Sequence, residues 1–225
     1  MSQKNRRPPQ AVQSIVEWRY AKAHRYWDDC GKLVTTIEAA FKGLVCEKLG
    51  PNGFEFAGRS SGIDAAVFYW ERASITQSGQ GDHDLAAAAA QFWNLVSTGL
   101  GISSPPLRIG HRTWVLFHAD SVRDAQRRLE AKQAHWSLGA VAKGWGTPLA
   151  PGTTVRTAME PNGRRLRLTV DSGTIAPKTA PGQHGVIVDA DIVCELPREI
   201  PSDVGEFVQS NIAFLRDAVI PAFRD

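Results

Sequence analysis

The sequence has few of the features that identify secreted, membrane-spanning or zinc-binding proteins. Its 225 residues include only three cysteines, Cys30, Cys46 and Cys194, and no Cys-x-x-Cys pair. Such an odd, widely spaced set excludes a disulfide framework and a zinc ribbon. No apolar run approaches the roughly 18 residues that a membrane span requires, and the N-terminal residues are basic rather than apolar. We therefore expect a cytoplasmic protein with reduced thiols.

An excess of charge of one sign is also missing. The 26 Lys and Arg residues against 23 Asp and Glu give a net charge of +3, which is too small to indicate nucleic-acid binding by itself. Hydrophobic residues make up 43% of the chain, as in ordinary globular proteins. The sequence contains no nucleophile elbow, Walker loop or dinucleotide fingerprint, so it indicates no cofactor, no metal and no catalytic group.

Hydrophobic periodicity predicts a mixture of strands and helices. Alternating apolar residues predict strands at 12–20, 54–59, 63–74, 107–119, 153–160, 164–170 and 185–196. Apolar residues three and four apart predict helices from 30 to 49, from 85 to about 99, from 122 onward and from 202 to 223. In the third helix we expect Val122, Ala125 and Leu129 to face inward.

The order of these elements predicts the fold class. Hairpins outnumber β-α-β crossovers, which indicates an α+β fold with a mainly antiparallel sheet and helices packed on one face. We expect a disordered basic tail at 1–11, an N-terminal α+β half at 12–138, and at 139–225 a C-terminal half of the same domain, made of a β-hairpin, a strand and a helix. The connection at 139–152 is rich in Gly, Pro and Ala. Two structurally related halves are one way to build such a chain.

Two pairs of charged residues form the strongest candidate site. Asp189 and Asp191 alternate on one predicted strand, so their carboxylates face one side about 7 Å apart. Arg108 and Arg112 share one face of another strand. One interpretation is a divalent-metal or acid–base site on the carboxylates. We favour the other, a structural ion-pair network with the arginines, because no third carboxylate or histidine lies near either aspartate in sequence.

The strands that carry these residues also resemble a known family. Leu107–Val115 reads Leu-Arg-Ile-Gly-His-Arg-Thr-Trp-Val, and Ile187–Val193 is an apolar run with an Asp-x-Asp pair. They resemble the hallmark strands of a sporadically distributed family of uncharacterised bacterial proteins, whose first pattern is Arg-x-Gly-x-Arg-Tyr-x-Asn. The segment Glu17–Tyr20 is similar to that family, and so is the last helix, with Leu215-Arg216, Val219 and Phe223.

The resemblance implies a setting more than a chemistry. Members of the family are accessory proteins that often occur in defence or toxin–antitoxin gene neighbourhoods and have no settled catalytic site. This chain departs from the family pattern at three polar positions, with Thr113 in place of Tyr, Val115 in place of Asn and Arg216 in place of His. The resemblance therefore implies no activity from those groups.

Charge is distributed unevenly along the C-terminal half of the sequence. Residues 104–168 contain eleven Lys or Arg against four Asp or Glu, whereas residues 169–225 contain four against nine. The two segments could complement each other within one fold or across a homo-oligomer interface. The alternative is a basic surface for RNA or DNA. Its residues would be Arg123, Arg127, Arg128, Arg164, Arg165 and Arg167.

Large apolar side chains provide candidate surfaces for a protein partner. Trp136 and Trp145 flank the Gly-rich connection, where aromatic side chains could anchor a partner. We expect Trp18, Trp70 and Trp114, by contrast, to pack under helices. Phe207 and Phe214 lie seven residues apart on the last helix and are offset from its main apolar row, which predicts a two-fold dimer interface there.

These observations together predict a non-catalytic, self-associating protein. We expect it to form a homodimer, to bind another protein and to need no cofactor or membrane. The resemblance implies an accessory role in a bacterial defence or toxin–antitoxin system. The alternative function is an RNA- or DNA-binding protein or a metal-dependent nuclease, with Asp189 and Asp191 at the metal and the basic residues on the nucleic acid.

Overall fold

A computed structural model describes residues 7–59, 62–79, 84–133, 154–159, 163–175, 182–195 and 202–223. Within these ranges the strands form one antiparallel sheet of nine strands, in the order β2-β3-β4-β5-β1-β6-β9-β8-β7. The strands are β1 (Gln10–Arg19), β2 (Leu44–Gly50), β3 (Gly53–Gly58), β4 (Ala65–Tyr69), β5 (Arg72–Ser78), β6 (Arg108–His118), β7 (Thr154–Met159), β8 (Arg164–Ile175) and β9 (Gln183–Cys194).

The described helices pack on one face of this sheet. They are α1 (Tyr26–Ala40), α2 (Leu85–Gly99), α3 (Val122–Gln133), α4 (Val204–Phe214) and α5 (Ile220–Phe223), with a π-helical turn, Leu215–Val219, between the last two. Alternate side chains of the strands are buried with the helices in one hydrophobic core. The structure confirms the predicted α+β class, with a mainly antiparallel sheet and helices on one face. We call the other side of the sheet the open face.

The chain repeats one topology twice. The unit β1-α1-β2-β3-β4-β5-α2 is followed by β6-α3-β7-β8-β9-α4, and in each the first strand pairs with the last strand of the meander. The first strands, β1 and β6, pair at the centre of the sheet, and α2 packs on α4 above them. Gly205 of α4 faces α2, where an added Cβ would lie 3.7 Å from the Cβ of Ala90, an ordinary contact.

The topology also corrects the predicted division of the chain. The second unit begins with β6, so the halves meet between Gly99 and Arg108 rather than at 139. Residues 139–152, predicted to join the halves, connect α3 to β7 within the second unit and lie outside the described residues. Of the predicted disordered tail, Gln10 and Ala11 belong to β1, while residues 1–6 are not described.

Two predicted elements are wrong for local reasons. The helix predicted to reach residue 49 ends at Ala40, because Gly43 adopts a φ of 97° and turns the chain into β2. The strand predicted at 63–74 is two strands, joined by a tight turn at Trp70 and Glu71. In α3 the buried side chains include Ala125 and Leu129 as predicted, but Val122 is 40% exposed.

Candidate functional site

The four charged residues singled out from the sequence come together on the open face. Arg108 and Arg112 of β6 alternate with buried residues, and β9 pairs with β6 so that Arg112 lies directly opposite Asp191. Asp189 is the diagonal neighbour of Arg112 on the same face. The sheet therefore places two arginines and two aspartates at its centre, on the side away from the described helices.

Arg112 and Asp189 form a bidentate ion pair. The Arg112 Nε donates to Asp189 Oδ1 at 2.9 Å and its Nη2 donates to Oδ2 at 2.5 Å. The guanidinium carbon also lies 5.2 Å from the ring centre of Trp114. These hydrogen bonds raise the pKa of Arg112. A planar pair of this kind holds both side chains in one orientation.

Asp191 makes no ion pair with any of the described residues, although arginines surround it. Its strand partners are Arg112 on β6 and Arg167 on β8. Burial raises the pKa of the Asp191 carboxyl, and this effect outweighs the opposing effect of Arg108 and Arg112. The folded protein therefore favours the protonated form of Asp191 more than the unfolded chain does.

Arg108 pairs with glutamates rather than with the predicted aspartates. Its Nη1 donates to Glu17 of β1 at 2.9 Å, and its Nε lies 3.7 Å from Glu195, just beyond β9. Arg165 of β8 also binds Glu195, at 2.7 Å. The sequence prediction of an arginine–aspartate network is therefore wrong for Arg108, because carboxylates on the flanking strands are closer to it.

Three arginines occupy directly opposed positions at one end of the open face. Arg19 of β1 lies opposite Arg72 of β5 on one side and opposite Arg108 of β6 on the other. Arg19 and Arg108 share one oxygen of Glu17, at 3.1 and 2.9 Å. Arg72 stacks 4.8 Å from the ring centre of Tyr69 and has no ion pair among the described residues. We call Arg72, Arg19 and Arg108 the arginine row.

A cleft of about 520 Å³ opens beside the arginine row. It is lined by Arg19, Tyr20, Asn52, Tyr69, Trp70, Glu71, Arg72 and Leu107. The Tyr20 hydroxyl donates to the Tyr69 carbonyl at 2.5 Å, and burial raises the pKa of that hydroxyl far above its ordinary value. Tyr20 thus forms a fixed, uncharged part of the wall. We call this space the end cleft.

Two of the exposed hydrophobic side chains lie on the wall of the end cleft. Among the described residues, the exposed large hydrophobic side chains are Leu49 (71%), Trp27 (62%), Leu107 (51%), Val122 (40%) and Trp70 (36%). Trp70 and Leu107 line the end cleft, whereas Leu49 lies near the end of β2, Trp27 is the second residue of α1 and Val122 begins α3. Exposed apolar side chains on the wall of a cleft are typical of an interaction surface.

Contrary to the expectation from the sequence, Trp70 does not pack under a helix and Trp114 lies beside Arg112 on the open face, whereas Trp18 is buried in the core as expected. Trp70 stands at the turn between β4 and β5, where the ammonium group of Lys22 lies 4.5 Å from its ring centre. The alternation of residues 63–74 predicted a single strand. In such a strand Trp70 would share one face of the sheet with the residues two positions away on either side. The turn instead moves Trp70 to the rim of the end cleft.

The residues of the nucleic-acid alternative do not form one surface. Arg123, Arg127 and Arg128 belong to α3 in the helical layer, whereas Arg165 and Arg167 project from β8 on the open face. Arg128 is already bound to Asp124 and to the carbonyl of His118. Arg164 lies on the helical side, where its Nη1 is 3.4 Å from Ser210 Oγ of α4.

The aromatic residues predicted to bind a partner do not form one surface among the described residues. Phe207 is 2% exposed and belongs to the core, so its prediction as an interface residue is wrong. Phe214 is partly buried and packs against the same core. The helix carries them on the side that covers the sheet and α2. Trp136 and Trp145 lie outside the described residues.

Three polar side chains lie within hydrogen-bonding distance of one another on the helical side of the sheet. Ser14 Oγ is 3.1 Å from Thr113 Oγ1, which is 3.2 Å from His111 Nε2. His111 is 1% exposed, and burial lowers its pKa to about 4, so the imidazole is neutral near pH 7. Its inaccessibility makes it a structural residue. In the described part of the chain, no group of three or more His, Cys, Asp or Glu could hold a metal ion.

The arginine row and the end cleft were not predicted from the sequence. Alternation along β1 places Glu17 and Arg19 on one face, but nothing in the local pattern connects them with Arg72 or Arg108. The signal in the sequence was an arginine at the cleft-side end of three strands, namely Arg19, Arg72 and Arg108. Which strands are neighbours depends on pairing between distant segments, such as Gln10 and Leu116, 106 positions apart, which local patterns do not reveal.

Comparison with known proteins adds no assignment to these features. No protein-family model matches the chain. No curated protein matches it either. In the described residues, no helix has the length and apolar character needed to cross a membrane.

Proposed function

We propose that this protein is a non-catalytic component that binds another protein through the end cleft and its apolar surroundings. The observation that carries the proposal is the exposure of Trp70 and Leu107 on the wall of the end cleft. Scattered apolar side chains are normal on a protein surface, whereas exposed apolar side chains on the wall of a cleft favour a binding site. Trp and Leu at such a site supply apolar area that a partner can bury.

The wider setting belongs to the same proposal. The resemblance of the strands around Arg108 and Asp189 to the bacterial family supports an accessory role in a defence or toxin–antitoxin system, in the cytoplasm. Self-association remains part of the proposal, but the buried position of Phe207 removes the last helix as its basis. A homodimer would therefore use another surface.

A nuclease is the weaker candidate for this chain. Asp189 is already bound by Arg112, which occupies both of its oxygens. The arginines that would contact a nucleic acid lie on both sides of the sheet, where one duplex could not reach them together. A docked protein requires only the one end of the sheet at which the end cleft lies.

The proposal is tested by capture from the native host with matched variants. Leu107→Ser removes an apolar side chain 51% exposed at the end cleft, and Val122→Ser removes one 40% exposed at the start of α3. Trp70→Ala is a second cleft variant. We expect quantitative mass spectrometry to find one partner that is captured by wild type and Val122→Ser and is depleted about tenfold by both cleft variants. Equal capture by all four proteins would refute the proposal.

A further inference from the structure

We infer that the partner segment bound in the end cleft is acidic, a statement that rests on the proposed protein-binding function. The arginine row together with Arg165 brings four guanidinium groups to this end of the open face. Glu17 and Glu195 are their ion-pair partners among the described residues, and Glu71 also lines the cleft, so four positive charges stand against three carboxylates. The surface beside the cleft therefore has an excess of positive charge, which an acidic segment would complement.

The arginine row is unfavourable to the isolated protein. Directly opposed like charges destabilise neighbouring strands, and Arg19 is opposed by an arginine on both sides. Glu17 offsets part of the repulsion for Arg19 and Arg108. Arg72 is left exposed, resting on Tyr69, with no carboxylate partner in the described ranges. A carboxylate of the partner placed against Arg72 would satisfy its donors and relieve the repulsion within the row.

The cleft favours an acidic peptide over a nucleic acid. Bases bind to exposed aromatic faces, but Arg72 lies over Tyr69 at 4.8 Å and Lys22 over Trp70 at 4.5 Å. The exposed aliphatic side chain of Leu107 suits an apolar side chain of a peptide. The fitting segment thus combines aspartate or glutamate with a large hydrophobic residue.

The test uses random dodecapeptides displayed on phage and selected on the intact protein. We expect the enriched sequences to contain Asp or Glu near Leu, Ile, Phe or Trp. A synthetic enriched peptide should bind Arg72→Gln about tenfold more weakly than wild type in fluorescence anisotropy, and its affinity should fall with added salt. Arg127→Gln is the matched control, since it removes an exposed guanidinium from α3 in the helical layer, and it should bind as wild type does.

Each other result overturns the inference in a distinguishable way. Enriched peptides without acidic residues, or equal affinity for Arg72→Gln, would overturn the acidic specificity and leave protein binding intact. Failure to enrich any peptide, together with equal partner capture by the cleft variants, would overturn both. Submicromolar binding of a single-stranded 20-mer DNA that Arg72→Gln abolishes would identify a nucleic-acid site instead. A dimer that Arg72→Gln dissociates would identify a second copy as the occupant.

Discussion

Arg112 binds Asp189, its diagonal neighbour, and not Asp191, which lies directly opposite it on β9. The two aspartates of one strand thus differ in role although they are two residues apart on one face. Asp189 is fixed by two charge-assisted hydrogen bonds, while Asp191 is held beside the pair with a raised pKa caused by burial. The interpretation of the four residues as one ion-pair network is therefore too simple.

We predict opposite effects when each aspartate is neutralised. Asp189→Asn should lower the free energy of unfolding at pH 7 by about 1 kcal/mol, because it removes the charged partner of Arg112. Asp191→Asn should raise the melting temperature. The folded protein holds the Asp191 proton more tightly than the unfolded chain does, so ionising this carboxyl costs stability as the pH rises above its ordinary pKa.

The pH dependence distinguishes this explanation from a general surface effect. The gain from Asp191→Asn should shrink as the pH falls through the raised pKa of the folded carboxyl, and it should vanish well below pH 4, where the wild-type carboxyl is protonated in both states. Thermal melts of both variants between pH 3 and pH 8 would provide the measurement. An Asp191→Asn protein less stable than Asp189→Asn at pH 7, or a wild-type melting temperature that rises with Mn²⁺, would contradict our assignment.

His111 should make the fold sensitive to acid. Its pKa is lowered to about 4 by burial, whereas an unfolded histidine titrates near 6.5. A base with a lowered pKa stabilises the fold above its unfolded pKa and loses that contribution as the pH falls towards its folded pKa. The loss between pH 6.5 and pH 4 should be about 3 kcal/mol.

The variant His111→Gln isolates this contribution from that of the carboxylates. Gln keeps a polar group that can reach Thr113 but does not titrate. We expect the variant to be less stable than wild type at pH 7 and to lose less stability on acidification, as measured by urea unfolding at both pH values. Parallel losses in the two proteins would show that His111 is not responsible.

The sequence predicted elements better than it predicted neighbours. The strand at Arg108–His118 and the helix at Leu85–Gly99 are correct to within about a residue, because Pro105, Pro106 and the helix-capping Asp84 mark their limits. The turn at Trp70 and Glu71 contains neither Gly nor Pro, so nothing local separated β4 from β5. Gly43 was a usable signal for the end of α1, but the apolar spacing that continued through Leu44 concealed it.

The candidate site was predicted only where it follows from alternation along a strand. Arg108 and Arg112 on one face, and Asp189 and Asp191 on another strand, follow from the period of two. The partners actually chosen follow from strand order and register, which place Glu17 nearer to Arg108 than either aspartate. Alternation along a single strand does not determine which partner is chosen, because each strand could pair in several ways.

Two glycines on the open face should respond differently to a side chain. A Cβ on Gly110, between Arg108 and Arg112, would lie 3.6 Å from Val193, an ordinary contact. A Cβ on Gly185 of β9 would overlap the backbone carbonyl oxygen of Phe117. We expect Gly110→Ala to change the free energy of unfolding by less than about 1 kcal/mol and Gly185→Ala to lower it by more than about 2 kcal/mol.

Chemical denaturation of the two alanine variants, compared with wild type, provides the measurement. If Gly110→Ala has the small effect that we expect, Gly110 is not required for packing of the sheet. Its lack of a side chain would then leave space on the open face beside the Arg108 guanidinium. A loss of more than about 2 kcal/mol in Gly110→Ala would show instead that the sheet cannot accept a side chain there.

Two phenylalanines of the last helix allow folding and self-association to be tested separately. Phe207 is 2% exposed in the core, whereas Phe214 is only partly buried at its margin. Phe207→Glu would bury an unpaired carboxylate and should unfold the protein, at a cost of several kcal/mol. Phe214→Glu can place its carboxylate towards the solvent and should remain folded.

Circular dichroism and light scattering at micromolar concentration would measure both properties. We expect Phe214→Glu to keep the mass of wild type, because the dimer that we propose does not use this helix. A folded Phe207→Glu protein with half the wild-type mass would restore the helix as the interface, and a monomeric wild type would remove self-association from the proposed function.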